Sequence, residues 1–269
     1  MCDHIYERDG DNFVPTEWAG SPWSRTSQHG GPTNALMMRA AEQVAADVGK
    51  QVARLSVDIL KPIPMVPLTL KVNVLRQGRR MTVIDILEAR ADDASPIAVG
   101  RAVALKAEEA LSSLFEAKMI DFRGPEAMQK WDLVSEERRE TGPPGFHRSI
   151  QVRYGGSPAR PMTWLSSPLD LVADELTTPA QHCAAICDLT TVISGRIELS
   201  PPGEWDNTSM FPMLNTDTIL HLLRAPMGTW FGFSNNFIAD QDGIGIAEVA
   251  LHDEQGCIGR SVQTVVSNA

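Results

Sequence analysis

The chain reads as an α+β protein built from two tandem copies of one unit, a central helix followed by an antiparallel meander. Three observations predict this. Residues 54–105 (RLSVDILKPIPMVPLTLKVNVLRQGRRMTVIDILEARADDASPIAVGRAVAL) share a strand pattern with residues 215–266 (NTDTILHLLRAPMGTWFGFSNNFIADQDGIGIAEVALHDEQGCIGRSVQTVV). Each copy opens on an alternating strand that ends in a basic residue and a proline, Lys61 and Pro62 in the first, Arg224 and Pro226 in the second. Each closes on Gly-Arg and a last strand, at Gly100 and Arg101 and again at Gly259 and Arg260. A period this long means duplication, not a solenoid.

Taken in order, residues 1–27 are turn-rich and carry Trp18 and Trp23. A helix then opens at Gly30, Gly31 and Pro32, with proline in its first turn. Leu36, Ala40, Val44 and Val48 recur at i+4 and mark one buried face, and Gly49 ends the helix. Four period-2 runs follow (LSVDIL, LTLKVNVL, MTVIDILEA, IAVGRAVAL), separated by turn signals, and read as antiparallel strands. Residues 107–144 lack strand alternation and read as a linker whose SEERRE run is a solvated face. HRSIQVRY restarts β structure at His147. Thr178 before Pro179 is a helix N-cap, and Gly195 a stop. The division expected is a first unit over 1–122, a linker over 123–146 and a second unit over 147–269. One helix facing one curved antiparallel sheet is the hotdog arrangement, so the fold expected is a double hotdog with the two sheets joined edge to edge.

With 43% hydrophobic residues the chain has ample material for a core. A net charge of −10 disfavours nucleic acid, whose recognition needs a basic face. It leaves room for an anionic ligand such as coenzyme A on a local basic patch. Cys2, Cys183, Cys187 and Cys257 have no zinc spacing and are too few for a disulfide scaffold, which fits a reducing cytoplasm. Neither a signal peptide nor a run of about 18 apolar residues is present, so no membrane insertion is expected.

Only the second copy carries polar residues at positions that read as buried. In the register of the two helices Met38 corresponds to Asp188, and in the last strands Ala104 corresponds to Gln263. Asp188 lies among apolar neighbours in AAICDLTTV; it is either a local structural carboxylate or a functional one, because a buried carboxylate must be paired. Gln263 alternates onto the face of Val265, and Asn215 opens the strand NTDTILHLLR. Either amide alone fits a structural hydrogen bond; the three together in one copy point to a shared site. Gly30 and Gly31 either make the turn or bare the helix N-terminus as a donor pair for a carbonyl oxygen that gains negative charge. His29 beside them either contacts substrate or bonds the backbone.

HGGPTNALMMRA, the KP…GRR…GRAVAL meander and DTILHLLRAP…GTW…GIAEVALHDEQGCIGRSVQT together resemble the acyl-CoA thioesterase II (medium-chain, TesB-like) double-hotdog family over nearly the whole chain. The resemblance implies hydrolysis of a fatty acyl-CoA to fatty acid and coenzyme A by an aspartate-activated water, without metal or bound cofactor. The family's catalytic aspartate falls on Asp188 and its glutamine on Gln263. Its threonine falls on Asn215, a departure, with Thr216 next to it. His29, Gly30 and Gly31 then serve substrate and oxyanion, and the acyl chain is expected between helix and sheet beside Leu36, Met37 and Met38. Met81, Met210 and Met213 are further candidates for a methionine wall. A homodimer or higher homo-oligomer through sheet edges is the expected assembly. Two rival readings stay open: a hotdog enoyl-CoA hydratase or dehydratase pairing His29 with Asp188, and a non-catalytic acyl-CoA-binding protein.

Overall fold

The computed structural model describes residues 3–108, 124–157, 160–200, 204, 208 and 211–267. Met210 and the 122/123 boundary lie outside them. Four strands follow the first central helix, α1 (Gly30–Asp47): β3 (Gln51–Ile59), β4 (Leu68–Gln77), β5 (Met81–Arg90) and β6 (Asp93–Leu105). The second copy repeats this with β12 (Asp217–Leu222), β13 (Phe231–Gln241), β14 (Ile244–Asp253) and β15 (Gly256–Ser267). Hydrogen bonding runs β4-β5-β6-β3 and then β12-β15-β14-β13, so the two meanders are arranged as mirror sequences about one seam. At the seam β3 and β12 are antiparallel partners, with Leu55 opposite Leu220 and Val57 opposite Thr218. One continuous sheet thus faces both helices, the double hotdog expected of the sequence.

The turn-rich opening proves to be a hairpin. β1 (His4–Asp9) and β2 (Asn12–Pro15) pair around Gly10, whose φ of +58° suits glycine in a tight turn. The Asp-Gly signal was present, but polar neighbours obscured the alternation that buries Tyr6 and Phe13. β1 also pairs in parallel with β10 (Asp170–Val172), a strand from the second half. The linker is likewise more ordered than its composition suggests. Its described part holds β7 (Gln129–Trp131), paired with β8 (Gln151–Ser157), and a short helix α2 (Glu136–Thr141) capped by Ser135. β9 (Arg160–Ser166) links β8 to β13.

The second central helix is not continuous. α3 (Pro179–Cys187) stops at Asp188, and α4 (Thr190–Leu199) resumes two residues later. Thr178 caps α3 as expected, in a full capping box with Gln181. Gly195 does not stop the helix; it lies inside α4, where the Phe211 ring fills the space a side chain would need. α1 and α3 lie side by side and run antiparallel. Near one end Arg39 on α1 makes a bidentate ion pair with Glu175, at 2.7 and 2.8 Å, and Glu42 accepts from Thr178 Oγ1 and Gln181 Nε2. At the other end the N-terminus of α1 meets Asp188.

The first half is not free of buried polar groups, contrary to the sequence expectation. Glu88 and Thr33 are fully buried and Asn34 nearly so, because α1 is wrapped on most sides and polar positions on it have no route to solvent. Thr33 Oγ1 donates to Glu88 Oε1 at 2.9 Å, while Glu88 Oε2 has no partner among the described residues. Burial raises the Glu88 carboxyl to about 7, against the Thr33 hydrogen bond, which lowers it. The folded value lies above the unfolded one. The stability it permits is therefore complete below about pH 4.5 and is lost as pH rises through 7. Glu88→Gln keeps the Thr33 contact without titrating, so its stability relative to wild type should rise by about 3 kcal/mol between pH 4.5 and 8. Denaturant unfolding of both proteins at the two pH values measures this; parallel pH dependences would show that Glu88 folds already ionised.

Candidate active site

Asp188 sits at the joint between α3 and α4 with helical backbone angles (φ −61°, ψ −20°), and its side chain is nearly buried. The joint is fixed from below by the last strand. Gln263 is fully buried on β15. Its Oε1 accepts from the Thr191 N–H at 2.9 Å and from Thr191 Oγ1 at 2.6 Å. Its Nε2 lies 3.1 Å from the Cys187 carbonyl, 3.3 Å from the Asp188 carbonyl and 2.9 Å from Thr218 Oγ1. Helix ends leave carbonyls and N–H groups without partners. Gln263 satisfies those of α3 and α4 together, which is why the helix can break there. Thr190 Oγ1 adds contacts of 2.8 Å to the Cys187 carbonyl and to Ser261 Oγ.

The carboxylate of Asp188 is held on both oxygens. Asn215, at the end of the short strand β11 (Met213–Asn215), donates from Nδ2 to Oδ1 at 2.9 Å. His29 Nδ1 lies 2.8 Å from Oδ2. The same Nδ1 is 3.2 Å from the Gly31 N–H, and it cannot serve both partners with one hydrogen or one lone pair. A bare ring nitrogen 2.8 Å from a carboxylate oxygen would be repulsive, so Nδ1 carries the proton and donates to Asp188. Thr216 does not join this group: its hydroxyl bonds the Thr264 carbonyl and Asp217.

The glycines have separate reasons. A Cβ on Gly30 would lie 2.7 Å from Asp188 Oδ1 and 3.0 Å from Oδ2, so the carboxylate occupies the place of the missing side chain. On Gly31 the same space is taken by the Ala185 carbonyl and the Phe146 ring, which makes Gly31 the close-packing point of α1 against α3. The Gly30 N–H has no partner among the described residues, as the first N–H of a helix normally lacks one.

His29, Gly30, Asp188, Asn215, Thr191 and Thr216 all line one cavity of about 640 Å³. Gln263 does not reach it. The apolar wall includes Leu133, Val134, Val192, Phe211, Met213 and Leu214, and the basic side chains on it are Lys61, Arg138 and Arg196. Leu36, Met37 and Met38 do not line this cavity; they are fully buried in the core, with Met37 filling the space beside Gly100. The cavity is lined jointly by residues of the first half (22–30 and 59–63), the linker, β11 and α4, so no single segment of sequence marks it. His147 also lines it, its ring 6.5 Å from that of His29 and nearly parallel. Burial first, then His29 and the neighbouring arginines, push His147 down to about 3, so it is neutral at working pH. Its value is depressed on folding, so the stability it contributes is complete above about pH 6.5 and is lost as pH falls toward 3. Sequence reasoning missed Thr191 and Thr218; the only signal was the TT pair after Asp188.

Among the described residues no group of three His, Cys, Asp or Glu side chains is placed to hold a metal ion. No helix among them is long and apolar enough to cross a membrane.

Comparison with known proteins gives the family and the fold. Residues 19–105 match the acyl-CoA thioesterase N-terminal domain, and residues 108–267 match the acyl-CoA thioesterase C-terminal domain. Solved structures share the fold: a thioesterase candidate from Novosphingobium aromaticivorans (20% identity, 98% of this chain and 99% of that one, TM-score 0.72), a hot dog fold protein of unknown function from Alicyclobacillus acidocaldarius (18%, 97% and 95%, 0.68), and the acyl-CoA thioesterase II TesB2 from Mycobacterium marinum (14%, 97% and 93%, 0.63). A comparison with curated proteins gave no match. The class is a double-hotdog thioester hydrolase. The chain belongs to the acyl-CoA thioesterase family, whose two domain types span nearly its full length.

Two substitutions separate the parts of the site. Gly30→Ala should displace the Asp188 carboxylate and lower thioester hydrolysis about 100-fold with the fold intact, since small misplacements of reacting groups cost this much. Gln263→Leu should instead cost about 2 to 4 kcal/mol of stability, because it strands several buried groups at the helix joint. Steady-state rates and chemical denaturation of the two variants would show whether the effects divide in this way.

Proposed function

We propose that the chain hydrolyses acyl-CoA thioesters with Asp188 as the general base. The observation that carries this is the Asp188 carboxylate held at the open N-terminus of α1, inside an apolar-walled cavity, by donors on both oxygens. Asn215 and His29 Nδ1 orient the carboxylate, and its remaining lone pairs take a water proton as the water attacks the thioester carbon. The carbonyl oxygen, as it gains charge, accepts from the Gly30 N–H and the helix end. The tetrahedral intermediate collapses, the C–S bond breaks, and the proton held by Asp188 passes to the leaving thiolate. Free coenzyme A and the carboxylic acid depart. Gln263 acts through the helix joint, not on the water. Asn215 fills the family's threonine position as a donor to the base. No step needs a metal or bound cofactor.

Cys183 and Cys187 are free thiols, in keeping with a reducing cytoplasm. Exposed Ile244, Ile246 and Phe237 on the outer sheet face suit a second copy of the chain.

Asp188→Asn should lower the turnover of medium-chain acyl-CoA about 1,000-fold in a free-thiol release assay, with circular dichroism unchanged. A rate near wild type would remove Asp188 as the base. A second reading draws on the His29–Asp188 pair, which could serve a hydratase with His29 Nε2 as the proton carrier. Loss of conjugated absorbance from an enoyl-CoA without thiol release would favour that chemistry; thiol release from saturated acyl-CoA favours hydrolysis.

A further inference from the structure

One buried side chain at the cavity is fixed by its neighbours yet makes no hydrogen bond through its own ring among the described residues. His147 lines the same cavity as His29, Gly30 and Asp188 and is only 6% exposed. Its Nδ1 is buried and has no hydrogen-bond partner there. The ring lies nearly parallel to that of His29, with 6.5 Å between the centroids. A polar group taken out of water without a hydrogen bond costs stability, and most such groups in folded proteins are paired. An apolar ring would pack in this place at less cost.

The backbone around His147 holds it still. Phe146–Arg148 forms one short turn. The Phe146 N–H donates to the Gly20 carbonyl at 3.0 Å, and a Cβ on Gly145 would collide with that same carbonyl, so the segment is pressed against the first half. Ser149 Oγ donates to the Phe146 carbonyl at 2.8 Å and lies 3.0 Å from Ser167 Oγ in the second half. The Phe146 ring is fully buried and packs edge-on against His29 at 5.3 Å. Contacts from both halves thus fix an unpaired imidazole at the cavity that holds Asp188, an arrangement that suits a group meeting a ligand.

The ring is also in the right state to donate. Burial, then the charges of His29 and the nearby arginines, push it down to about 3, so it is neutral. So weak a base does not compete with Asp188 for a proton. Its N–H remains a donor, and neutral imidazoles of lowered pKa polarise carbonyl groups in other active sites. The ring hydrogen sits on Nε2, because on Nδ1 it would be enclosed with nothing to accept it.

We propose that His147 is a second catalytic donor, whose Nε2–H hydrogen-bonds the thioester carbonyl oxygen beside the Gly30 N–H. That oxygen has lone pairs for both donors. As water adds to the carbon the oxygen becomes an oxyanion, and both contacts strengthen. The hydrogen stays on His147 throughout. The proton taken from water stays with Asp188 until the thiolate leaves. The part played in catalysis rests on the hydrolase reading; the presence of a donor in the cavity does not.

The test uses the full chain and two variants. His147→Phe keeps a ring to stack on His29 and removes the N–H; His147→Gln keeps a donor. The phenylalanine variant should lower kcat for an acyl-CoA about 100-fold with KM little changed, and should unfold at no lower denaturant concentration than wild type. The glutamine variant should recover about tenfold of that loss. A ketone analogue of the acyl-CoA, with a methylene in place of the sulfur, reports the contact directly. Its bound carbonyl stretch in the infrared should lie at higher frequency in His147→Phe than in wild type. A phenylalanine variant with wild-type kcat would overturn the assignment. So would a variant that lost turnover while the bound carbonyl frequency stayed at the wild-type value, because the ring would then only position its neighbours. If wild type released no thiol from any acyl-CoA yet the carbonyl shift still depended on His147, the hydrolase reading would fail and the donor would stand.

Discussion

The structure depends on one buried charge and how it is accommodated. Asp188 is taken almost wholly out of water, a cost of several kcal/mol for an isolated carboxylate. Three features offset it: the donor ring of His29, the amide of Asn215 and the positive end of α1. The His29 ring and the α1 end reach Asp188 only because two helices from different halves lie antiparallel and touch, while Asn215 comes from β11 of the same half. The bare Gly30 backbone lets the carboxylate in, and Gly31 lets the helices approach. Site formation and assembly of the two halves are therefore one event.

The remainder of the molecule keeps this contact in place. Arg39 and Glu42 tie the far ends of the same helix pair through Glu175, Thr178 and Gln181, which fixes their angle and register. Gln263 fixes the joint at which Asp188 turns inward. The seam between β3 and β12 aligns the sheets beneath, although it sets Asp58 opposite Asp217. Burial, and then the like charge of Asp217, raise the Asp58 carboxyl, while Asp217 is occupied by the Thr264 N–H. Like charges directly opposed across strands are unfavourable. The seam therefore rests on its apolar pairs and its backbone ladder.

Duplication explains why there is one site and not two. In the first half Met38 and Ala104 stand where Asp188 and Gln263 stand in the second, and both are fully buried packing residues. That half contributes a helix end, and the other contributes the carboxylate. The first half still buries Glu88, Thr33 and Asn34, so polar burial by itself does not distinguish a working half from a supporting one. The difference is whether the buried group faces a cavity: Asp188 does, and Glu88 is enclosed by its own helix and sheet.

The sequence by itself determined the two helix-and-meander units, the Thr178 cap and the pairing of Asp188 with the α1 end. Those signals are local: period-2 strands, Gly-Pro and Ser/Thr punctuation, and matched positions in a repeat. The β1 hairpin was legible in its Asp-Gly turn but masked by polar neighbours. Tertiary structure alone decided that the helix breaks at Asp188, that Gln263 serves the joint and not the cavity, that Asn215 and not Thr216 reaches the carboxylate, and that linker residues Leu133 and Val134 wall the pocket. Each of these depends on partners 27 to 76 positions apart or on surfaces from separate segments. Periodicity reports which face of an element is buried, but not what that face meets.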